Sequence, residues 1–397
     1  MMLKHLMYGS LAMSFLSGCN QPATNNAPIM NSQSVLAACQ KALTDKDKTL
    51  AVKDCQFAEM WLGREQPDSL LHAEALEKFA DILITINTTA GLDNYRQALA
   101  LREKLTDKSA ATDGLQLKMG NGYSSLGKWA EAEIALKKAL HQLEASKGQD
   151  SLEVADVLNR LGVVQLQQQL LTDAEQTLRR ALTIREAKLN AADPQLGETY
   201  NNLGFMYQST GKNQDAESFY RKAVLNQEAA KDTPYTALYD SLSNVATLVQ
   251  KNGKLQDAEP LWNKLLAVAE KGFGKDSPQY ATGLNSLGML AMSARNFAAS
   301  EKLFNESLAI REKKLGANHL QTAESANNLA VALANQGKRA QAEPLMRHAA
   351  AVTQVGLGAN NPLTQQRWAS LLALDGDVAR KAEPPVQQAP KPIKKAK

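Results

Sequence analysis

"YNNLGFMYQSTGKNQDAESFYRKAV", residues 200–224, reads as two amphipathic helices parted by a glycine. Leu203, Gly204 and Tyr207 recur at helical spacing, Gly211 breaks the run, and Ala216, Tyr220 and Ala223 mark a second apolar face. Small residues at 204, 216 and 223 predict that the two backbones approach closely. Asn201 and Asn202 do not fit so easily. Asn competes with its own backbone for hydrogen bonds and costs a helix about 0.5 kcal/mol relative to Ala. Two in succession point to a role beyond helix formation.

The stretch is one copy of a repeat. Gly120, Gly162, Gly204, Ala246, Gly288 and Ala330 stand 42 residues apart. Ala132, Ala174, Ala216, Ala258, Ser300 and Ala342 keep the same register, each followed by Glu. A third column runs through Ala139, Ala181, Ala223, Leu265, Ser307 and Ala349. Six units in unbroken register are the signature of a solenoid, in which each unit buries its apolar face against its neighbours. The composition agrees. Of 397 residues, 44% are apolar but only 5% aromatic, which suits many small helices better than a sheet core. The formal charge of +4 leaves no nucleic-acid footprint.

Leu-Gly-x-x-Tyr followed by Ala-x-x-x-Phe/Tyr-x-x-Ala strongly resembles the tetratricopeptide repeat, lengthened from its usual unit of about 34 residues. The longer unit looks like that of kinesin light chains, as do "LTIREAKLN" at 182–190 and "LAIREKKLG" at 308–316. The resemblance implies an all-α fold: a right-handed superhelical solenoid of antiparallel helix pairs spanning 113–375, six units and a C-terminal capping helix. Asp193-Pro194, Thr233-Pro234, Ser277-Pro278 and Asn361-Pro362 each read as a cap residue with Pro opening a first helix. Gln169 and Arg295 replace the inter-helix Gly, and Pro260 and Pro344 are expected in the first turns of their second helices. "ALREKL" at 100–105 echoes the later motif, so a degenerate unit is expected within the N-terminal region, 32–106.

The first residues form a separate segment. Lys4 and His5 precede an apolar run, Leu6 to Leu16, too short to span a bilayer, and "LSGC" follows at 16–19. Leu-Ser-Gly-Cys closely resembles the bacterial lipoprotein signal, implying removal of 1–18 and lipidation of Cys19. Asn20 after the cysteine favours the outer membrane by that resemblance, with the repeats facing the periplasm. Residues 19–31 read as a polar tether and 376–397 as a disordered Pro/Lys-rich tail. A helical hairpin is expected over 32–43 and 47–62. Cys39 and Cys55, the remaining thiols, are read as a disulfide across it; two buried free cysteines are the alternative.

No catalytic or metal-binding pattern stands out. His5, His72, His141, His319 and His348 are scattered, and "GFGKDS" at 272–277 lacks the spacing of a phosphate loop. No enzyme activity, cofactor or small-molecule substrate is expected. Binding is. First helices of such arrays line the concave face, where Asn159, Asn201, Asn202, Asn244, Asn285, Asn327 and Asn328 would form a ladder of amides able to pair with an extended peptide backbone. By the resemblance to kinesin light chains, Asn at matching places does this; it can equally bond the neighbouring repeat. Asp156, Glu198, Asp240 and Glu324 lie one turn earlier, with Thr282 the exception, and would attract a basic segment or serve only the helix dipole. Phe205, Met289, Val331, Leu166 and Met292 are candidate apolar pockets between them. The expected protein is a lipid-anchored periplasmic scaffold for a protein or peptide, attached to the membrane only by its lipid. The alternative is a structural spacer whose tail, with Lys391, Lys394, Lys395 and Lys397, rests on anionic lipid or cell-wall polymer.

Overall fold

Two apolar faces joined by a turn bury each other most simply as an antiparallel helix pair, and pairs then stack to cover what remains exposed. The computed structural model describes residues 31–45, 48–105, 110–231 and 234–375, without side chains at 110–113 and 375. Cys19, the tether up to residue 30, Thr233 and the Lys-rich tail lie outside the described residues, whereas Asn31, read as the last tether residue, caps the first helix. Within them, all regular structure is helical. The chain divides into two compact units, Met1–Ala139 and Leu140–Lys397.

In the first unit, α1 (Ser32–Thr44) and α2 (Lys48–Glu65) form the expected hairpin, with α2 running three residues beyond the reading. Cys39 and Cys55 are joined by a disulfide, with a Cα–Cα separation of 4.5 Å, and both are fully buried among Val35, Leu36, Ala58 and Leu62. Closing a loop of this length limits the unfolded chain by about 3 kcal/mol. The degenerate unit is a helix pair, α3 (Leu70–Ile86) and α4 (Thr88–Lys104). Gly91 lets the two backbones nearly touch: a Cβ there would lie 2.6 Å from the Ile84 nitrogen. Next come α5 (Ala110–Ser125) and α6 (Trp129–Lys147), the boundary between units falling inside α6.

The second unit continues the pairs. They are α7 (Leu152–Gln167) with α8 (Leu171–Lys188), α9 (Pro194–Ser209) with α10 (Asn213–Ala229), and α11 (Tyr235–Lys251) with α12 (Leu255–Phe273). Then follow α13 (Pro278–Ser293) with α14 (Phe297–Leu315), α15 (Leu320–Asn335) with α16 (Arg339–Leu357), and the single helix α17 (Pro362–Asp375). The column glycines are sockets for the second helices. A Cβ on Gly162, Gly204 or Gly288 would stand 2.5, 2.5 or 2.6 Å from Leu178, Tyr220 or Phe304 respectively. Successive first helices also touch directly, α7 against α9 and α13 against α15.

Turn chemistry follows the repeat. Gly211, Gly253 and Gly337 adopt φ of 75°, 78° and 76°. Gln169 and Arg295 hold the same left-handed conformation, at 61° and 59°, despite carrying a Cβ. That conformation costs about 1–2 kcal/mol without glycine, and the packed helices on either side impose it. Asp193 and Ser277 cap α9 and α13 with Pro at the first helical position. Pro234 departs from this pattern: it is itself the N-cap of α11 and has no side-chain cap. Pro260 and Pro344 are the sixth residues of α12 and α16, a turn deeper than expected. Each removes one interior N–H donor while the helix continues through it.

Candidate functional site

The polar columns of the first helices converge on residues the sequence reading left without a role. Arg185 of α8 is 2% exposed, among Ala181, Leu182 and Ile184. Its guanidinium donates to Asp156 of α7 (2.6 Å), and to the Gln195 carbonyl (2.7 Å), the Thr199 hydroxyl (2.6 Å) and Glu198 (3.3 Å) of α9. One buried cation therefore clips its own first helix to the next. Arg311 of α14 repeats the device, donating to Thr282 of α13 (3.1 Å) and to the Gln321 carbonyl (2.7 Å), Glu324 (3.0 Å) and Ser325 (2.9 Å) of α15. In the first unit, Arg102 of α4 pairs with Glu77 at 3.3 Å, and Lys118 of α5 with Glu77 and Asp81 at 2.8 and 2.7 Å. A signal for these arginines was present: each is a cation inside an apolar run of a second helix, "ALREKL", "TIREAK" or "AIREKK". A buried charge requires a partner.

Asp156, Glu198 and Glu324 are thus anchored acids rather than a free negative surface. Asp240 differs. The arginine position of its repeat is Ala269, and among the described residues no cation pairs with it. Its side chain is exposed, yet neighbouring protein desolvates the carboxyl and raises its pKa above the ordinary aspartate value.

The asparagines join repeat to repeat. Asn202 donates to Asn159 (3.1 Å), Asn244 to Asn201 (3.0 Å) and Asn328 to Asn285 (3.1 Å), each bond crossing from one first helix to the preceding one. The Asn201 carbonyl also accepts from the Ser241 hydroxyl at 3.4 Å. Asn159 and Asn285 are 1% and 7% exposed, so they do not line an open face as expected; the following helix covers them. Asn201, Asn202, Asn244, Asn327 and Asn328 are half-buried and keep part of their amides at the surface. Each of these bonds takes one amide from either column, so both columns join repeat to repeat.

Of the apolar candidates, Phe205 and Met289 are 44% and 41% exposed, two repeats apart in one column. Leu166 is buried and belongs to the core, while Met292 and Val331 are half-buried against it. Glu198, Asn201, Asn202 and Phe205 share one face of α9 by their three- and four-residue spacing. Between α15 and α17 that face opens into a hollow of about 420 Å³, lined by Asn327, Asn328 and Arg367 among others. His319 caps α15, its ring nitrogen accepting from the Gln321 amide, and His348 lies 3.1 Å from the Ala317 carbonyl. Among the described residues no cluster of His, Cys, Asp and Glu could hold a metal ion, and no helix is long and apolar enough to cross a membrane.

Two family models, both described as tetratricopeptide repeat, match the chain. One covers residues 110–187, 153–229 and 281–354, the other 240–279, together more than half of the chain. No curated protein matches. Among solved structures, the apo form of the quorum sensor NprR from B. thuringiensis is similar at a TM-score of 0.61 and 14% identity, over 81% of this chain and 87% of that one. A signal-transduction ATPase with a tetratricopeptide repeat sensor from Pyrococcus horikoshii aligns at a TM-score of 0.59 and 14% identity, over 87% of this chain and 50% of that one. A tetratricopeptide repeat protein from Parabacteroides merdae aligns at 0.50 and 13%, over 76% and 98%.

Proposed function

We propose that this chain, which belongs to the tetratricopeptide-repeat family, is a lipid-anchored scaffold that holds an extended segment of another protein on the first-helix face of its second unit. The all-helical repeat fold accords with a non-catalytic interaction module. The observation that carries the binding reading is the exposure of Phe205 and Met289 between columns of half-used amides. Exposed large apolar side chains set at repeat spacing among backbone-pairing groups suit an extended peptide, whose alternate side chains need pockets while its backbone needs donors and acceptors. Asp240 adds an unpaired acid to the same face and favours a partner bearing Lys or Arg.

The anchor and the address rest on the sequence alone: "LSGC" at 16–19 after a short apolar run, with Asn20 next. On this reading the protein sits on the outer membrane and faces the periplasm. The disulfide between Cys39 and Cys55 accords with an oxidising compartment.

Intact mass spectrometry of the detergent-extracted protein tests the anchor. Loss of residues 1–18 with added lipid mass is expected, and an unprocessed Met terminus overturns it. Crosslinking in intact envelopes tests the scaffold. Phe205→Ala with Met289→Ala removes two exposed side chains and is expected to leave folding unchanged while abolishing the crosslinked species. An identical crosslinking pattern overturns the reading.

A further inference from the structure

The hairpin that opens the first unit carries an apolar face the repeat register does not explain. Ala51, Cys55, Ala58 and Leu62 of α2 are buried in the core shared with α1. Away from that core, Leu50, Phe57 and Met60 of the same helix are 42%, 44% and 51% exposed. No other helix among the described residues exposes three large apolar side chains. By helical phase these three fall with half-buried Trp61 and with Lys53 and Arg64 inside an arc of about 100°. The arc itself holds no acid. Asp54 and Glu65 stand at its border, and Glu65 lies 3.8 Å from Arg64, an exposed pair that contributes little.

Apolar and aromatic side chains interleaved with basic ones are the composition of a helix that lies in a membrane interface. The connectivity of the chain favours the same occupant. Cys19 lies 12 residues before Asn31, the cap of α1. An acylated Cys19 therefore keeps the start of α1 within about 40 Å of the bilayer even with the intervening chain fully extended. Val35 and Leu36 share a core with Ala58 and Leu62, so the start of α1 packs beside the later turns of α2. Phe57, Met60, Trp61 and Arg64 thus stand close to the point where the anchor joins the fold. A surface held that near needs only a weak affinity of its own, because the tether raises its effective concentration at the lipid.

We propose that this face of α2 rests on the bilayer beside the anchor, with Leu50, Phe57 and Met60 at the boundary of the acyl chains and Lys53 and Arg64 against anionic headgroups. The inference rests on the lipid-anchor reading above and adds a second membrane contact to it. The disulfide between Cys39 and Cys55 ties the opposite side of α2 to α1, so the exposed face cannot turn inward to bury itself.

The test is photolabelling of the full acylated chain in vesicles of phosphatidylethanolamine and phosphatidylglycerol that carry a photoactivatable group on the acyl chains. Intact mass first reports whether Cys19 is acylated, and peptide mass spectrometry then locates the label. Label is expected on α2, at Phe57, Met60 or Trp61. Phe57→Ser with Met60→Ser should lower it about tenfold with melting unchanged, since both side chains are exposed. Lys53→Glu with Arg64→Glu, which removes no apolar side chain, should lower it as well. Leu225→Ser, at 66% exposure on α10, should leave it intact. An acylated chain without label on α2, or label that survives both double variants, overturns the inference and leaves the anchor standing. Crosslinks between the α2 helices of two copies in place of lipid label assign the face to self-association and overturn it too. An unprocessed Met terminus removes both readings.

Discussion

The junction between α8 and α9 and the junction between α12 and α13 solve one packing problem with opposite chemistries. At the first, Arg185 ties Asp156, Glu198, Thr199 and the Gln195 carbonyl into a buried polar knot. At the second, Ala269 takes the arginine position and aromatic packing fills the space. Tyr239 sits edge-on to Phe273 with ring centroids 5.6 Å apart, Tyr280 and Leu284 are buried beside Ala269, and the Tyr239 hydroxyl donates to the Gln279 carbonyl at 3.1 Å. The arginine is thus one way of joining repeats and not a requirement of the fold. Asp240 has no cation among the described residues because both arginine positions that pair its equivalents lack one. They are Gln227 in the preceding repeat, where Arg185 and Arg311 serve Glu198 and Glu324, and Ala269 in its own, where Arg185 serves Asp156. Residues on the inner side thus set the chemistry of the outer face.

The largest effect should come from cutting the polar knot. Arg185→Ala leaves carboxylates and a hydroxyl without their donor, a loss of about 3–5 kcal/mol. Hydrogen exchange should accelerate across α8 and α9 and remain slow at α12 and α13. Arg185→Met, which fills the volume without charge, should restore much of the stability, as isosteric replacement of buried ion pairs often does. If Met proves as damaging as Ala, the two junctions are not equivalent solutions.

Asn244→Ala comes next. It removes one inter-repeat hydrogen bond, to Asn201, while improving helix propensity. A net loss of about 1 kcal/mol in urea unfolding is expected. A gain would mean that the amide ladder contributes nothing to stacking and leave ligand binding as its only role.

The smallest effect belongs to Asp240→Asn. Its carboxyl is raised above the ordinary aspartate pKa of about 3.9 by burial. The folded state therefore binds this proton more readily than the unfolded one. The stabilisation is fully present below the unfolded value and is lost as pH rises through the folded value. The Asn variant should match or slightly exceed the parent at neutral pH, and lose that advantage as the medium is acidified through this window. Thermal melts at pH 7 and pH 4 read the difference; a variant markedly less stable at neutral pH would mean that Asp240 has a hidden partner.

Much of this was legible beforehand. The 42-residue register placed the six helix pairs, because a residue's phase on its own helix follows from spacing alone. Pro and cap residues located the starts of α9 and α13 for the same local reason. The hairpin of Cys39 and Cys55 was legible from the count of cysteines and the polar turn between them, although only the packed structure joins them. What the period could not supply was the rotation of one pair against the next. The bonds from Asn202 to Asn159 and from Asn328 to Asn285 join residues 43 apart, one beyond the repeat, and exist only because successive first helices are offset by that much. The same offset carries Arg185 to acids on two helices. Local sequence determined which helices form and which faces are apolar; tertiary stacking decided which polar groups are consumed in holding the array together and which remain for a partner, since that depends on distances between segments no local pattern encodes.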